Sequence, residues 1–295
     1  MEQRGRALPL LLATDLDRTL LPNGAQPESP RAREYFRKLA ARPELRLAYV
    51  TGRHRQLVEA AMAEYALPTP DFVIADVGAT LYEIQGDDWR ARGDWHQTIA
   101  ADWHGQGHDA LAALLGEVPG LRLQEAAKQG AFKLSYYAAA LADPAELLAR
   151  VRERLAAGGA RANLVWSVDE TTSTGLLDVL PAGASKLHAL EFLRERLALP
   201  ESRTVFAGDS GNDMEVLASG LPAVLVANAQ ESVRVEAVAR APAGSLYLAR
   251  GGLLGMNGNY SAGLLEGLVH FIPESRAWLG EAAPGASGEI GEERP

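Results

Sequence analysis

Two short apolar runs, each ending in a polar turn and each followed by a helical pattern, constrain this chain more than any other feature. Residues 10–14 are mostly apolar and end at Asp15, while residues 45–50, broken only by Arg46, end at Thr51-Gly52-Arg53. Apolar runs of this length without polar alternation read as strands buried on both faces, the habit of parallel sheets. Residues 30–41 and 54–65 carry helical spacing, so the segment reads as a βαβα unit with helices covering the sheet. Residues 72–75 supply a third strand, Asp76-Val77-Gly78-Ala79 turns, and 80–83 runs extended. The same rhythm returns after Pro181, with helix 185–197, strand 204–207, helix 212–218, strand 223–226 and helix 230–239.

Between about 85 and 181 the rhythm is lost. Strand candidates at 131–137, 163–168 and 176–180 and a helix at 144–157 follow one another without crossovers, which suggests a separate α+β module inserted into the first domain. The expected layout is an α/β core, doubly wound around a mainly parallel sheet, from 1–84 and 182–273, a cap from 85–181, and a tail from 274–295 rich in Gly, Pro, Ala and Glu. A chain of 295 residues can bury a core in each of two such domains, and no internal repeat is visible.

Composition removes several classes of function. A net charge of -9 offers no basic field for a nucleic-acid backbone. The most apolar stretch near the start, 8–13, is too short to span a bilayer and no small-residue cleavage site follows it, so neither a membrane nor a secretory route is expected and the cytoplasm is the simple location. Without a single cysteine, any nucleophile is oxygen or nitrogen, and a metal bound through oxygen is most simply magnesium.

The charged residues that remain gather at strand ends. Asp15 and Asp17 follow the first strand, where the carboxyl edge of an α/β sheet places its ligand, and residues two apart in extended chain point the same way. Asp209 and Asp213 follow another buried strand in Gly208-Asp209-Ser210-Gly211-Asn212-Asp213. Paired carboxylates repel unless a cation or a shared proton intervenes. Thr51, Gly52 and Arg53 offer a hydroxyl, backbone N–H groups and a helix start to an anion, and Lys186 opens the helix after the insert. Each signal alone has a plainer reading, as a helix cap, a Gly-Asp turn or a surface lysine.

Together, Asp15-x-Asp17, Thr51, Lys186 and Gly208-Asp209-x-x-Asn212-Asp213 resemble, in order and spacing, the four motifs of the haloacid dehalogenase-like hydrolase superfamily, across residues 10–271. The position of the insert is similar to that of a C2-type cap on a Rossmann-like core. Ala48-Tyr49-Val50-Thr51-Gly52-Arg53, Val77-Gly78, Lys133-Leu134-Ser135-Tyr136 and Asn228-Ala229-Gln230 resemble the sucrose-phosphate phosphatases within that superfamily. The resemblance implies a magnesium-dependent phosphatase for a small sugar phosphate, sucrose 6-phosphate first. Asp15 would be the nucleophile and Asp17 the acid and base; Mg2+ would be held by the Asp15 side chain, the Asp17 carbonyl and Asp209, with Asp213 in support. Thr51, Lys186 and Asn212 would hold the phosphoryl oxygens. On the cap, Lys133, Ser135, Tyr136 and Asp178 are the candidates for reading the sugar.

Leu187-His188 stands where the family often has Gly after the motif lysine, which puts the helix entrance in question, and the Gly-rich segment 251–259 has no evident role. His104 and His108, four apart, would share a face if helical, but no further ligand is spaced to complete a metal site, and a solvated face is the expectation. Phosphatases of another disaccharide or glycosyl phosphate, such as the mannosylfructose or glucosylglycerate type, a sugar phosphomutase, and a non-catalytic sugar-phosphate-binding partner of a glycosyltransferase are the competing readings; for the enzyme itself, a sucrose-phosphate synthase-like glycosyltransferase is the candidate partner that the resemblance implies.

Overall fold

The first strand decides the architecture because it is apolar at every position but its last and buried throughout, so it needs partners on both edges and helices on both faces. In the computed structural model, which describes residues 9–139, 144–169 and 172–280, β1 (Leu10–Thr14) lies at the centre of the main sheet. It is followed by α1 (Ala32–Ala40), β2 (Leu45–Val50), α2 (Arg55–Tyr65), β3 (Phe72–Ala75), β4 (Thr80–Gln85) and β5 (Asp88–Ala91). The insert contains α3 (Gly93–Ala100), α4 (His108–Leu115), β6 (Arg122–Leu123), β7 (Leu134–Ala139), α5 (Ala145–Ala157), β8 (Ala162–Asp169) and β9 (Thr174–Pro181). The chain then returns through α6 (Lys186–Arg196), β10 (Thr204–Gly208), α7 (Met214–Leu217), β11 (Ala223–Leu225), α8 (Glu231–Arg240), β12 (Leu246–Leu248) and α9 (Ser261–Phe271).

The main sheet has the order β12-β11-β10-β1-β2-β3-β4-β5. All neighbours from β12 to β3 are parallel, and the β3-β4-β5 edge is antiparallel. Thr14 sits beside Tyr49 of β2 and Ala207 of β10, so the loops that leave β1, β2 and β10 emerge together at one edge. In parallel α/β sheets that edge is where ligands bind.

The insert folds as a four-stranded antiparallel sheet, β6-β7-β9-β8. Its strands alternate with period two. Leu134, Tyr136, Leu177, Val179, Leu164 and Trp166 face one side, where they join the apolar cluster with α4 and α5. Ser135, Asp178 and Ser167 face the other side and line a cavity shared with the main sheet's edge.

Two expected boundaries move. Strand β5 extends the main sheet, and Trp95 of α3 is buried in the core cluster with its ring 5.1 Å from Phe192 and its Nε1 donating to the Gly78 carbonyl at 3.0 Å. The core therefore continues past residue 84. A tail does not begin at 274 either: residues Pro273–Leu279 form a 3-10 helix whose Ser275 and Leu279 are buried. The rest of that expected tail, 281–295, lies outside the described residues, as does Leu8. The strand expected at 131–137 starts three residues later, because Gly130 and Lys133 bond to each other across a tight turn.

Candidate active site

Lys186 is the first residue of α6, and Ser185 caps that helix by accepting the His188 N–H at 3.2 Å. The helix entrance therefore holds without the family's usual glycine. Gly78 makes room for it: with φ +102°, it lies where any Cβ would strike the Ser185 carbonyl. From that start the Lys186 ammonium reaches Asp15 Oδ1 at 2.9 Å, Asp213 Oδ1 at 2.7 Å and the Asn212 side-chain carbonyl at 2.9 Å. Asp213 is anchored in turn. Its second oxygen accepts the Asp209 and Ser210 N–H groups at 3.1 and 3.2 Å, and a Cβ on Gly208 would lie 2.7 Å from that carboxylate.

Asp15, Asp209 and Asp213 offer carboxylate oxygens that all lie within 4.8 Å of one another, the one such acidic, cysteine or histidine cluster among the described residues. All three are buried. Thr19 donates to Asp209 at 3.1 Å, and Arg18 stands 3.5 Å from its other oxygen. Burial pushes the Asp15 carboxyl up to about 8, with Asp213 and Asp209 adding to the push and Lys186 opposing it. Burial and the neighbouring Asp213 push Asp209 up to about 6, against Arg18 and Thr19. Burial works against the Lys186 charge, but Asp15 and Asp213 outweigh it and hold the lysine protonated above its usual range. In their ionised forms, three carboxylates facing two cationic side chains leave one negative charge in excess. An all-oxygen donor set with surplus negative charge fits a hard divalent cation.

Asp17 stands apart from this cluster, which corrects the expectation that both carboxylates of the Asp-x-Asp pair point to one spot. Leu16 between them is fully buried as expected, and both acids open on the same cavity. The Asp17 carboxylate, however, accepts a two-pronged contact from Arg53, Nε at 2.8 Å and Nη2 at 2.6 Å, and a third bond from Asn23 at 2.7 Å. Burial would raise its pKa, but these donors outweigh burial and hold it below the usual carboxylate range. In this arrangement Asp17 is held ionised, and a role as proton donor would require Arg53 to release it. Thr51 is buried and its Oγ1 accepts the Arg53 N–H at 3.2 Å, while Gly52 and Arg53 form part of the cavity wall.

The cavity, about 370 Å³, is roofed by the polar face of the cap sheet. Ser135 and Asp178 are paired in the β7/β9 register, and the serine hydroxyl donates to Asp178 Oδ1 at 2.5 Å. The Lys133 ammonium lies 3.6 Å from Asp178 and 3.9 Å from Asp76, a core residue. A second cavity lobe, about 630 Å³, opens between Lys186, Asn212 and Asn163 of β8. Tyr136 does not belong to this roof. Strand alternation turns it into the apolar side of the cap, where its hydroxyl is buried and has no hydrogen-bond partner among the described residues. The two histidines do not share a helical face: His104 ends a turn in the left-handed conformation, and His108 opens α4 against Asp109 and Gln129.

Arg18, Thr19, Asn23 and Asp76 join the site without being singled out by the sequence. Arg18 and Thr19 adjoin the Asp-x-Asp motif, and that proximity is a signal that could have found them. Asn23 bonds back to Asp17 across the turn and Asp76 meets Lys133 of the insert, contacts set by how the chain folds back and packs.

Comparison with known proteins agrees with this geometry. A family model described as sucrose-6F-phosphate phosphohydrolase matches residues 8–272. A protein of Nitrosococcus oceani, named only for its likeness to HAD-like hydrolases, is 56% identical over 273 residues, covering 92% of this chain and 74% of that one. The glucosylglycerol-phosphate synthase of Pseudomonas anguilliseptica is 32% identical over 95% of this chain, which spans only 32% of the synthase. The structure of the sucrose-phosphatase of Synechocystis sp. PCC6803 with sucrose and phosphate superposes with a TM-score of 0.71 at 26% identity, covering 90% of this chain and 98% of that one. No helix among the described residues is long and apolar enough to cross a membrane. With motifs, fold and family model in agreement, the chain belongs to the sucrose-6F-phosphate phosphohydrolase family and is a phosphatase of the haloacid dehalogenase-like type.

Proposed function

We propose that this enzyme hydrolyses a phosphorylated sugar, most simply sucrose 6-phosphate, to the free sugar and phosphate. The carrying observation is the Asp15 carboxylate, fixed by Lys186 at 2.9 Å beside two further buried acids, at the floor of a cavity whose roof presents Lys133, Ser135 and Asp178. In the first step an Asp15 oxygen forms a bond to phosphorus as the phosphorus–sugar oxygen bond breaks, and Asp17 gives its proton to the departing oxygen. In the second step water attacks the aspartyl phosphate, Asp17 takes the proton, and the Asp15 carboxylate is restored. Lys186, Asn212 and the Thr51-Gly52-Arg53 turn bind the phosphoryl oxygens and meet the charge that develops on them.

The residues suited to hold Mg2+ are Asp15 and Asp209 through their carboxylates and Asp17 through its carbonyl, with Asp213 fixing the loop. Bound there, the ion would offset the repulsion between an anionic nucleophile and a phosphoryl group. On the cap side of the cavity Lys128, Lys133 and Asp178 stand among the uncharged Gln124, Ser135 and Ser167, donors and acceptors that suit a hydroxyl-rich leaving group. A second reading, another glycosyl phosphate, draws on the similarity to glucosylglycerol-phosphate synthase, whose name denotes a phosphorylated glycoside as product. It would place this enzyme directly after a glycosyl transfer.

Phosphate release from a panel of sugar phosphates, with and without Mg2+, tests the reading. Sucrose 6-phosphate should turn over best, and Asp15→Asn should lower kcat by on the order of 10⁴-fold, as loss of a nucleophile does. Turnover of no sugar phosphate, or an Asp15→Asn protein as active as the parent, would reject it.

A further inference from the structure

Among the non-glycine residues with positive φ, Arg18 at 59° and Tyr260 at 51° are bonded by one and the same side chain. Buried Asn228 donates its Nδ2 to the Arg18 carbonyl at 2.7 Å and accepts the Tyr260 N–H on its Oδ1 at 2.8 Å. Residues in such conformations persist only where their surroundings over-determine them, and they gather at functional sites. The contacts of Arg18 explain the location. Its N–H is held by the Asn23 side chain at 2.8 Å, the same Asn23 that donates to Asp17, and its guanidinium faces Asp209.

The far side of this turn is braced by the Gly-rich segment after β12. Asn257 and Asn259 both donate their side-chain amides to the Pro27 carbonyl, at 2.9 and 3.0 Å, and the Tyr260 hydroxyl donates to the Gln26 carbonyl at 3.0 Å. Gly258 allows the segment to fold on itself, because a Cβ there would lie 2.6 Å from the Gly251 nitrogen. Buried Glu266 anchors its base by accepting the Gly251 N–H at 2.8 Å.

We infer that Asn228 is a positioning residue for proton transfer: with residues 257–260 it fixes the turn after Asp17, so that Asn23 sets the Asp17 carboxylate and Arg18 sets Asp209. This rests on the reading of Asp17 as acid and base. A bond to Arg18 and Tyr260 that served only to hold the fold would affect all substrates alike; one that serves proton transfer affects them in proportion to their need for an acid. The experiment compares sucrose 6-phosphate, whose alkoxide needs a proton to leave, with p-nitrophenyl phosphate, whose phenolate does not.

Asp17→Asn gives the reference bias between the two substrates. Asn228→Asp keeps the acceptor for Tyr260 and removes the donor to Arg18, and an Asn257→Ala/Asn259→Ala double variant loosens the brace from the surface. Both should lose at least about tenfold more kcat on sucrose 6-phosphate than on p-nitrophenyl phosphate, with KM moving less than kcat and, for the double variant, an unchanged Tm. Equal losses on the two substrates in Asn228→Asp, or no loss, overturn the inference while leaving Asp17's role intact. Absence of bias in Asp17→Asn itself would instead sink the acid–base reading, and this inference with it.

Discussion

The floor and the roof of the cavity are built on different principles. On the floor, Asp15, Asp213 and Lys186 are buried and locked at 2.7 to 2.9 Å, both acids bonded to the one ammonium. On the roof, Lys133 meets its partners only at 3.6 and 3.9 Å, and Asp178 is partly exposed, with one short bond to Ser135. A floor of this kind has one arrangement and serves one chemistry. A roof with long contacts exchanges its partners for hydroxyls at little cost, which is what recognition of a sugar requires.

If that contrast is right, disturbing the floor should cost folding as well as turnover. Replacing Lys186 by Met keeps most of the volume but leaves Asp15 and Asp213 buried without their cation. Breaking one partner of a buried pair costs about 3–5 kcal/mol. Thermal denaturation of Lys186→Met should show a loss of that order, partly restored by Mg2+, together with loss of activity. Normal stability in this variant would mean that the floor is not locked by charge.

The same floor makes stability depend on pH and on metal. Asp15 and Asp209 have raised pKa values, about 8 and about 6, so the folded protein keeps protons that the unfolded chain has lost. The contribution of these two acids to the stability of the metal-free protein therefore falls as pH rises from about 4 through about 8. A divalent cation takes the protons' place, so Tm measured with EDTA should decline across that range and Tm measured with Mg2+ should stay flatter. Parallel curves would remove the case for a cation among these acids.

How much of each region is legible in the sequence comes down to the same difference. The floor is made of residues that directly follow buried strands, and β1, β2 and β3 fall at the expected positions because apolar runs of four to six residues have few alternatives. Strand β5, Asp-Trp-Arg-Ala, is polar and partly exposed, held by its hairpin to β4 rather than by its own pattern, so the sequence alone assigns it to the insert. Asn23 on Asp17, Arg18 on Asp209 and Asp76 near Lys133 are contacts across turns or domains, set by how the elements pack. The Asp-x-Asp pair is legible only in part: residues 15–17 precede the turn at 18–20, Leu16 is buried and both acids open on one cavity, but Arg53 and Asn23 hold the Asp17 carboxylate outside the acidic cluster, and those contacts are not written in the motif.

The roof allows the finest test, because two adjacent residues of β7 face opposite ways. Ser135 faces the cavity and donates to Asp178; Tyr136 faces the cap's apolar interior, where its buried hydroxyl has no bonding partner among the described residues. Ser135→Ala removes a donor from the site and leaves Asp178 short of a bond, which should raise KM for the sugar phosphate by about tenfold, the scale of one hydrogen bond to a charged group. Tyr136→Phe removes a hydroxyl that gains nothing in the folded state, so kcat and KM should stay within about twofold and stability should hold or rise slightly, by up to ~1 kcal/mol. If the order were reversed, with Tyr136→Phe damaging KM and Ser135→Ala silent, the cap strand would face the substrate with its other side, and the roof would have to be rebuilt one residue out of register.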